Sequence, residues 1–251
     1  MRVTFIGSGN TATVMARLCK QKGHEIQQII ARNEENGKPL ASEMGCNYVS
    51  FNDKLHADTD VIIVALADNC LPEALNGFHF NTTPVVHTAG ACNINVVENI
   101  SQNYGVLYPL QSLRKEMNTI PPIPFLIEAN NEETLKFIHD FAHTLSDVVV
   151  AQNADERIRL HAAAVVVNNF TNYLFGVAEK FCSDEKVDFN LLKPIIKETA
   201  DRIQNHSPLA VQTGPALRSD ITTLDKHLRL LNDHPKLRTL YMRMTDGIMN
   251  G

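Results

Sequence analysis

Over residues 1–152, short apolar, β-prone runs alternate with stretches of helical spacing, and from residue 153 onward the pattern is helical. Strands are predicted at 2–6, 25–31, 47–49, 60–66, 84–87, 106–108, 125–128 and 147–150. The run at 60–66 is apolar almost throughout, as expected of a parallel strand covered on both faces. Between the strands, Val14, Met15, Leu18 and Cys19 mark one face of a first helix that Gly23 stops. A short helix is predicted at 38–44 with Gly45 as its stop, and another at 132–145. Pro121 and Pro122 predict that the late strands join without a helix. In the second part, one long helix is predicted over 157–180 and a second over 189–204, capped by Asp188. A third covers 221–231, and a last one follows Pro235. The expected fold is therefore an α/β domain at 1–152 with a mainly parallel sheet of about eight strands. An all-α domain at 153–251 follows it.

The first strand runs straight into Gly7-Ser8-Gly9-Asn10-Thr11-Ala12 and then into a helix. This is the order of a dinucleotide-binding turn. Gly7 permits the tight turn, Gly9 lets the backbone approach a pyrophosphate, and Ala12 is small enough for helix to pack on strand. The helix N-terminus then offers free N–H groups to phosphate. After the second strand, where NAD-binding units carry an Asp or Glu for the ribose, this chain has Arg32-Asn33. A guanidinium there suits the 2′-phosphate of NADP, so NADP is expected. Glu34, two residues on, is the competing ribose ligand. Ala67-Asp68-Asn69 follow the fourth strand, where they either touch the cofactor or cap the next helix.

Composition narrows the partners. A net charge of −5 with 20% charged residues and no basic run argues against nucleic acid or an anionic membrane. No apolar run approaches the roughly 20 residues that cross a bilayer, and no signal peptide precedes the first strand. Cys19, Cys46, Cys70, Cys92 and Cys182 are scattered without C-x-x-C spacing, as in a reducing cytoplasm. A metal site, a P-loop and a Ser-His-Asp triad all lack the necessary spacing.

Candidate chemistry lies at the start of the helical half. On one α-helical wheel Arg157, His161, Asn168 and Asn172 fall within roughly 80° of each other. His161 is the best proton donor or acceptor, because a histidine titrates near neutrality, and Asn168 is the candidate to orient a substrate. The alternative is that these groups satisfy one another in a domain or dimer interface. His87, followed by Thr88 and Gly90, ends one strand and is a rival acid or base. Tyr108 at the end of the next strand is another, and Arg114 with Lys115 are candidates to hold an anion.

The motifs Phe5-Ile6-Gly7-Ser8-Gly9-Asn10, Val86-His87-Thr88-Ala89-Gly90-Ala91 and Tyr108-Pro109-Leu110-Gln111-Ser112 stand in this order. His161-Ala162-Ala163-Ala164 with Asn168-Asn169-Phe170 comes next, and then Thr213-Gly214-Pro215-Ala216-Leu217-Arg218-Ser219-Asp220. With them the chain resembles a family of uncharacterised NADP-dependent oxidoreductases that join a Rossmann-like domain to a C-terminal helical domain of unknown function. The resemblance spans almost the whole chain. In plan it is also similar to pyrroline-5-carboxylate reductase, deazaflavin-dependent NADP oxidoreductases and β-hydroxyacid dehydrogenases. It implies that the cofactor lies across Gly7, Ser8, Gly9, Asn10 and Arg32. It further implies that His87 to Gly90 and His161 to Asn168 face the nicotinamide, and that the helical domain makes a homodimer. Tyr108 replaces an expected His, and no Lys occupies the position that is catalytic in β-hydroxyacid dehydrogenases, so their chemistry does not transfer. The expected activity is hydride transfer to or from a small C=O or C=N substrate. A non-catalytic NADP-binding regulator is the alternative.

Overall fold

The computed structural model describes residues 1–51, 53, 58–67 and 71–251. They form two compact units, Met1–Val167 and Asn168–Gly251.

The first unit is built on one eight-stranded sheet in the order β3-β2-β1-β4-β5-β6-β7-β8. The strands are β1 (Arg2–Ile6), β2 (Glu25–Ile30), β3 (Asn47–Val49), β4 (Val61–Val64), β5 (Val85–His87), β6 (Tyr104–Pro109), β7 (Phe125–Ala129) and β8 (Val149–Ala151). Side chains alternate across the sheet. Phe5, Ile29 and Ile63 enter the core shared with helices α1 (Asn10–Gln21), α2 (Glu34–Met44) and α4 (Glu132–Leu145). Their neighbours Ile6, Ile30 and Ile62 enter a second core with Leu71 of α3 (Leu71–Ala74), Phe78 and Val97. With apolar side chains required on both faces, the central strands read as continuous hydrophobic runs.

All neighbouring strands pair in parallel except β6 and β7. The connection between those two contains Pro121-Pro122 and no helix, so the chain turns back beside β6 and pairs antiparallel. The order reverses between β1 and β4, which places the topological switch point at their carboxyl ends.

Two local expectations change. Helix α2 begins at Glu34, before the predicted 38, because the Asn33 side chain caps it and Glu34 and Glu35 favour its positive end. The long α-helix predicted over 157–180 is interrupted. It is replaced by α5 (Ala154–Ala164), a π turn (Val165–Phe170) and α6 (Thr171–Asp184). The first unit ends within that π turn, later than the change in sequence character at 152.

The second unit contains α6, α7 (Lys193–Arg202), α8 (Ile221–Leu230) and α9 (Pro235–Asn250). Asp188 caps a 3₁₀ turn at Phe189–Leu192, and α7 starts regular winding only at Lys193, with Pro194 in its first turn. Asp220, at the end of the Thr213–Asp220 motif, caps α8 by accepting from Thr223 N at 3.1 Å. Its buried hydrophobic residues are only Cys182, Ala216, Leu224 and Leu231, while Leu191 and Leu209 are 76% and 88% exposed. Among the described residues no helix is long and apolar enough to cross a membrane.

Candidate active site

At the end of β1 the chain turns sharply. Gly7 has φ +125°, and its N–H donates to Ile30 O at 2.8 Å. A Cβ here would collide with the Ala65 carbonyl, so both backbone conformation and close strand contact demand glycine. Gly9 differs. It is exposed, and a Cβ on it would meet nothing within 4 Å. Gly9 is the N-cap of α1, no side chain caps the helix, and no acidic residue lies in its first turn. The open backbone and the helix dipole together make an anion cradle. Ser8 and Thr11 are half-buried at the same turn. The Asn10 side chain is engaged elsewhere: its Oδ1 accepts from Lys115 N at 3.2 Å, and Arg17 Nη1 donates to Lys115 O at 2.6 Å. The connection from β6 to β7 is thereby tied to α1.

The sheet order lines up the remaining candidates. Arg32 follows β2, is exposed, and sets its guanidinium 5.5 Å from the centre of the Phe51 ring. Asn33 beside it spends its side chain on the Asn36 N–H, at 3.1 Å. Ala67, beyond β4, is exposed. Asp68, with Asn69 and Cys70, lies outside the described residues. Thr88, beyond β5, is buried and donates from N to Val64 O at 3.0 Å, clamping the ends of β4 and β5 together.

His87 is fully buried. Its Nδ1 accepts from Ala89 N at 3.2 Å, which leaves the proton of the neutral ring on Nε2, where no well-formed hydrogen bond is made. Burial first, then the Arg157 charge, pull its pKa down to about 4, against a smaller opposing effect of the Asn93 backbone. His87 is thus a neutral, fully buried group at the end of β5 and a poor general acid.

Next to it stands a tightly built cluster. Asn153 and Glu156 form a reciprocal capping box that starts α5, and one residue later Arg157 points into the unit, 1% exposed. Its guanidinium donates to Gly90 O at 3.3 Å, Glu128 Oε2 at 2.5 Å and Cys92 O at 2.7 Å. Arg157 therefore anchors α5 to β7 and to the loop after β5. One turn on, His161 Nδ1 lies 2.8 Å from Tyr108 Oη, the two rings meeting edge to face at 5.9 Å. A Cβ on Gly90 would stand 2.9 Å from His161 Nδ1 and equally close to the Tyr108 ring.

The predicted residues thus divide. His161, Gly90, Thr88 and His87 cluster at the carboxyl ends of β5 and β6, with Tyr108, which the sequence presented only as a rival to His161. Arg157 is a buried anchor and does not line a polar stripe; Glu128, its partner, was missed because a lone acidic residue ending a strand carries no pattern. The helical wheel does not extend past Ala164, since the π turn departs from 100° per residue. Asn168 is exposed in that turn and belongs to the second unit.

Comparison with known proteins places the chain in a family. Residues 2–89 match the family described as NADP oxidoreductase, coenzyme F420-dependent, and residues 123–248 match the domain of unknown function DUF2520. No curated protein matches the chain in sequence. A Bacteroides fragilis protein of known structure, provisionally described as an NADP oxidoreductase, is 34% identical, with 100% of this chain and 98% of that one covered and a TM-score of 0.91. Similar in fold are a pyrroline-5-carboxylate reductase from Streptococcus pyogenes (14% identity, coverage 100% and 99%, TM-score 0.66) and an imine reductase from Myxococcus stipitatus in complex with NADP+ (13%, 99% and 92%, 0.62). The open cradle at Gly9, the uncapped start of α1 and the exposed Arg32 fit a dinucleotide bearing an extra phosphate.

Proposed function

Because the chain belongs to the DUF2520 family, whose N-terminal part is an NADP oxidoreductase domain, we propose that this NADP oxidoreductase reduces a small C=N or C=O substrate. The observation that carries the reading is the His161 ring held beside Gly90, at the opposite side of the switch point from Arg32. A dinucleotide with its 2′-phosphate at Arg32 and its pyrophosphate at Gly9 directs its nicotinamide toward Gly90 and His161. NADPH, when bound, supplies the hydride. His161 supplies the proton to the substrate nitrogen or oxygen, and Asn168 orients the substrate. The reductase names of the imine- and pyrroline-reducing neighbours favour C=N over C=O.

In this reading Ser8, Gly9, Asn10 and Thr11 hold the pyrophosphate, largely through backbone N–H groups, on the turn that Gly7 permits. Arg32 and Asn33 hold the adenosine end, Ala67 and Asp68 border the ribose, and His87, Thr88 and Gly90 wall the nicotinamide. Residues 1–152 serve as the nucleotide domain and 153–251 as the substrate and dimerisation domain. A homodimer is supported by the apolar surface of the second unit, where Leu191, Ile195 and Leu209 are 76%, 61% and 88% exposed. Sedimentation at micromolar concentration should give a dimer; a monomer removes this part of the proposal. A cytoplasmic setting is supported by the unbridged thiols of Cys19, Cys46 and Cys182.

The central test is a panel of cyclic imines, keto acids and an oxidised deazaflavin, each followed by NADPH absorbance. His161→Ala should abolish turnover of the accepted substrate and leave NADPH affinity within about twofold. Turnover that survives the substitution would exclude His161 as the donor.

A further inference from the structure

Gly90 poses a question that backbone conformation does not answer. Its φ lies outside the left-handed region, so any residue could adopt its conformation, and it is buried between strand end and helix. What a side chain would meet is the Tyr108–His161 pair, both members of which lie 2.9 Å from the Cβ position and would have to shift to admit it. The Gly90 carbonyl is in turn held by Arg157 Nε at 3.3 Å, so the glycine cannot easily retreat from the pair.

We infer that Tyr108 and His161 form a coupled proton-delivering pair, assembled across Gly90, in which Tyr108 holds His161 in the tautomer that carries its proton on Nε2. The inference rests on the reductase reading and assigns Tyr108 as the positioning residue of that site. The direction of the 2.8 Å hydrogen bond follows from relative acidity. A phenol, with a pKa near 10, is the better donor, and an imidazole nitrogen is the better acceptor, so O–H to Nδ1 is favoured over N–H to oxygen. With Nδ1 accepting, the neutral ring must bear its hydrogen on Nε2. As hydride from NADPH reaches the substrate carbon, the Nε2–H bond breaks and its proton joins the substrate nitrogen or oxygen. The Tyr108 phenolic proton passes to Nδ1, which leaves His161 neutral in the other tautomer and Tyr108 as a phenolate. The Nδ1 proton then returns to the phenolate as solvent protonates Nε2, which restores the phenol and the starting tautomer together. Nowhere in the sequence must the buried edge of the site carry an imidazolium, which suits a place already occupied by the Arg157 charge and the neutral His87.

The experiment is ¹⁵N NMR of histidine-labelled full-length protein saturated with NADP+, at about pH 8.5 where a free imidazole is neutral. The His161 signals are identified by their loss in His161→Gln. The expected spectrum of the unsubstituted protein has a protonated Nε2 and a bare, hydrogen-bonded Nδ1. Tyr108→Phe keeps the ring and removes only the hydroxyl, and it should bring the two tautomers to comparable populations with NADP+ affinity unchanged. Gly90→Ala, which forces the pair apart, should shift the populations the same way. A wild-type ring protonated on Nδ1, or a spectrum unchanged by Tyr108→Phe, overturns the inference while leaving the reductase reading intact. A substrate panel with no turnover overturns the reductase reading while leaving the tautomer to be read independently.

Discussion

The Gly7 backbone passes against the Ala65 carbonyl, bringing the ends of β1 and β4 into contact at the point where the strand order reverses. Two residues later Gly9 has open space around its Cβ position. The two glycines of one motif thus have different surroundings, and in the proposed reading they serve different ends, one in folding and one in binding. Gly7→Ala should lose the cooperative thermal transition or lower it severely, since it combines a strained φ with a backbone collision. Gly9→Ala should melt within a few degrees of the parent yet bind NADPH at least tenfold more weakly, read by NADPH fluorescence. Equal behaviour of the two variants would contradict the division.

In the proposed reading Arg32 sets the choice between NADP and NAD. Arg32→Ala should weaken NADPH binding by about 10- to 100-fold, in keeping with about 1.5–3 kcal/mol for a hydrogen bond to a charged group. NADH binding should change less than threefold. Titration calorimetry with both nucleotides decides, and equal losses would detach Arg32 from the 2′-phosphate.

Arg157 is nearly fully buried, and Glu128 beside it is 21% exposed. Arg157→Met keeps the volume but leaves Glu128 and the carbonyls of Gly90 and Cys92 without their donor. Loss of one partner of a buried pair costs about 3–5 kcal/mol, and the partial exposure of Glu128 points to the lower end. Urea unfolding should show that loss, with part of it recovered in the double variant Arg157→Met, Glu128→Gln. A loss below about 1 kcal/mol would remove Arg157 as the anchor of α5.

His87 gives a pH dependence of defined sign. Its folded pKa, about 4, lies below the ordinary value of 6.5, so on acidification the unfolded chain takes up the proton first. The stabilisation is complete above about pH 6.5 and is lost as pH falls toward 4, a span worth about 3 kcal/mol. His87→Asn, whose amide oxygen can accept the Ala89 N–H, should be less sensitive to acid over that interval by a similar amount. Parallel stability curves for the two proteins between pH 7.5 and 4.5 would contradict the assignment.

The fold was legible because its determinants are local. Apolar runs covered on both faces mark β1 and β4, Gly7-x-Gly9 marks the turn, and Asp188 marks the capped turn that leads into α7. Pro121-Pro122 implied the helix-free connection before β7, but the antiparallel pairing with β6 was visible only in the structure. The early start of α2 was less visible because Asn33 acts through a side-chain cap, which the chain uses in place of an apolar repeat. At the site, local reading reached the glycine turn and named Arg32 and His161 as candidates, the residues on which the proposed reading rests.

Tertiary structure decided what those residues do together. The pairing of Tyr108 with His161, and the close approach of both to Gly90, join positions from β6, α5 and the loop after β5 that no periodicity relates. The turn of α5 that points Arg157 inward toward Glu128, and the π turn that ends the helical wheel after Ala164, likewise depend on packing and backbone hydrogen bonding. By itself the sequence determined the parallel sheet, the dinucleotide turn and the helical second half, because burial and backbone freedom are encoded residue by residue. Which side chains meet above the carboxyl ends of β5 and β6 was decided only when the sheet order brought separate segments within hydrogen-bonding distance.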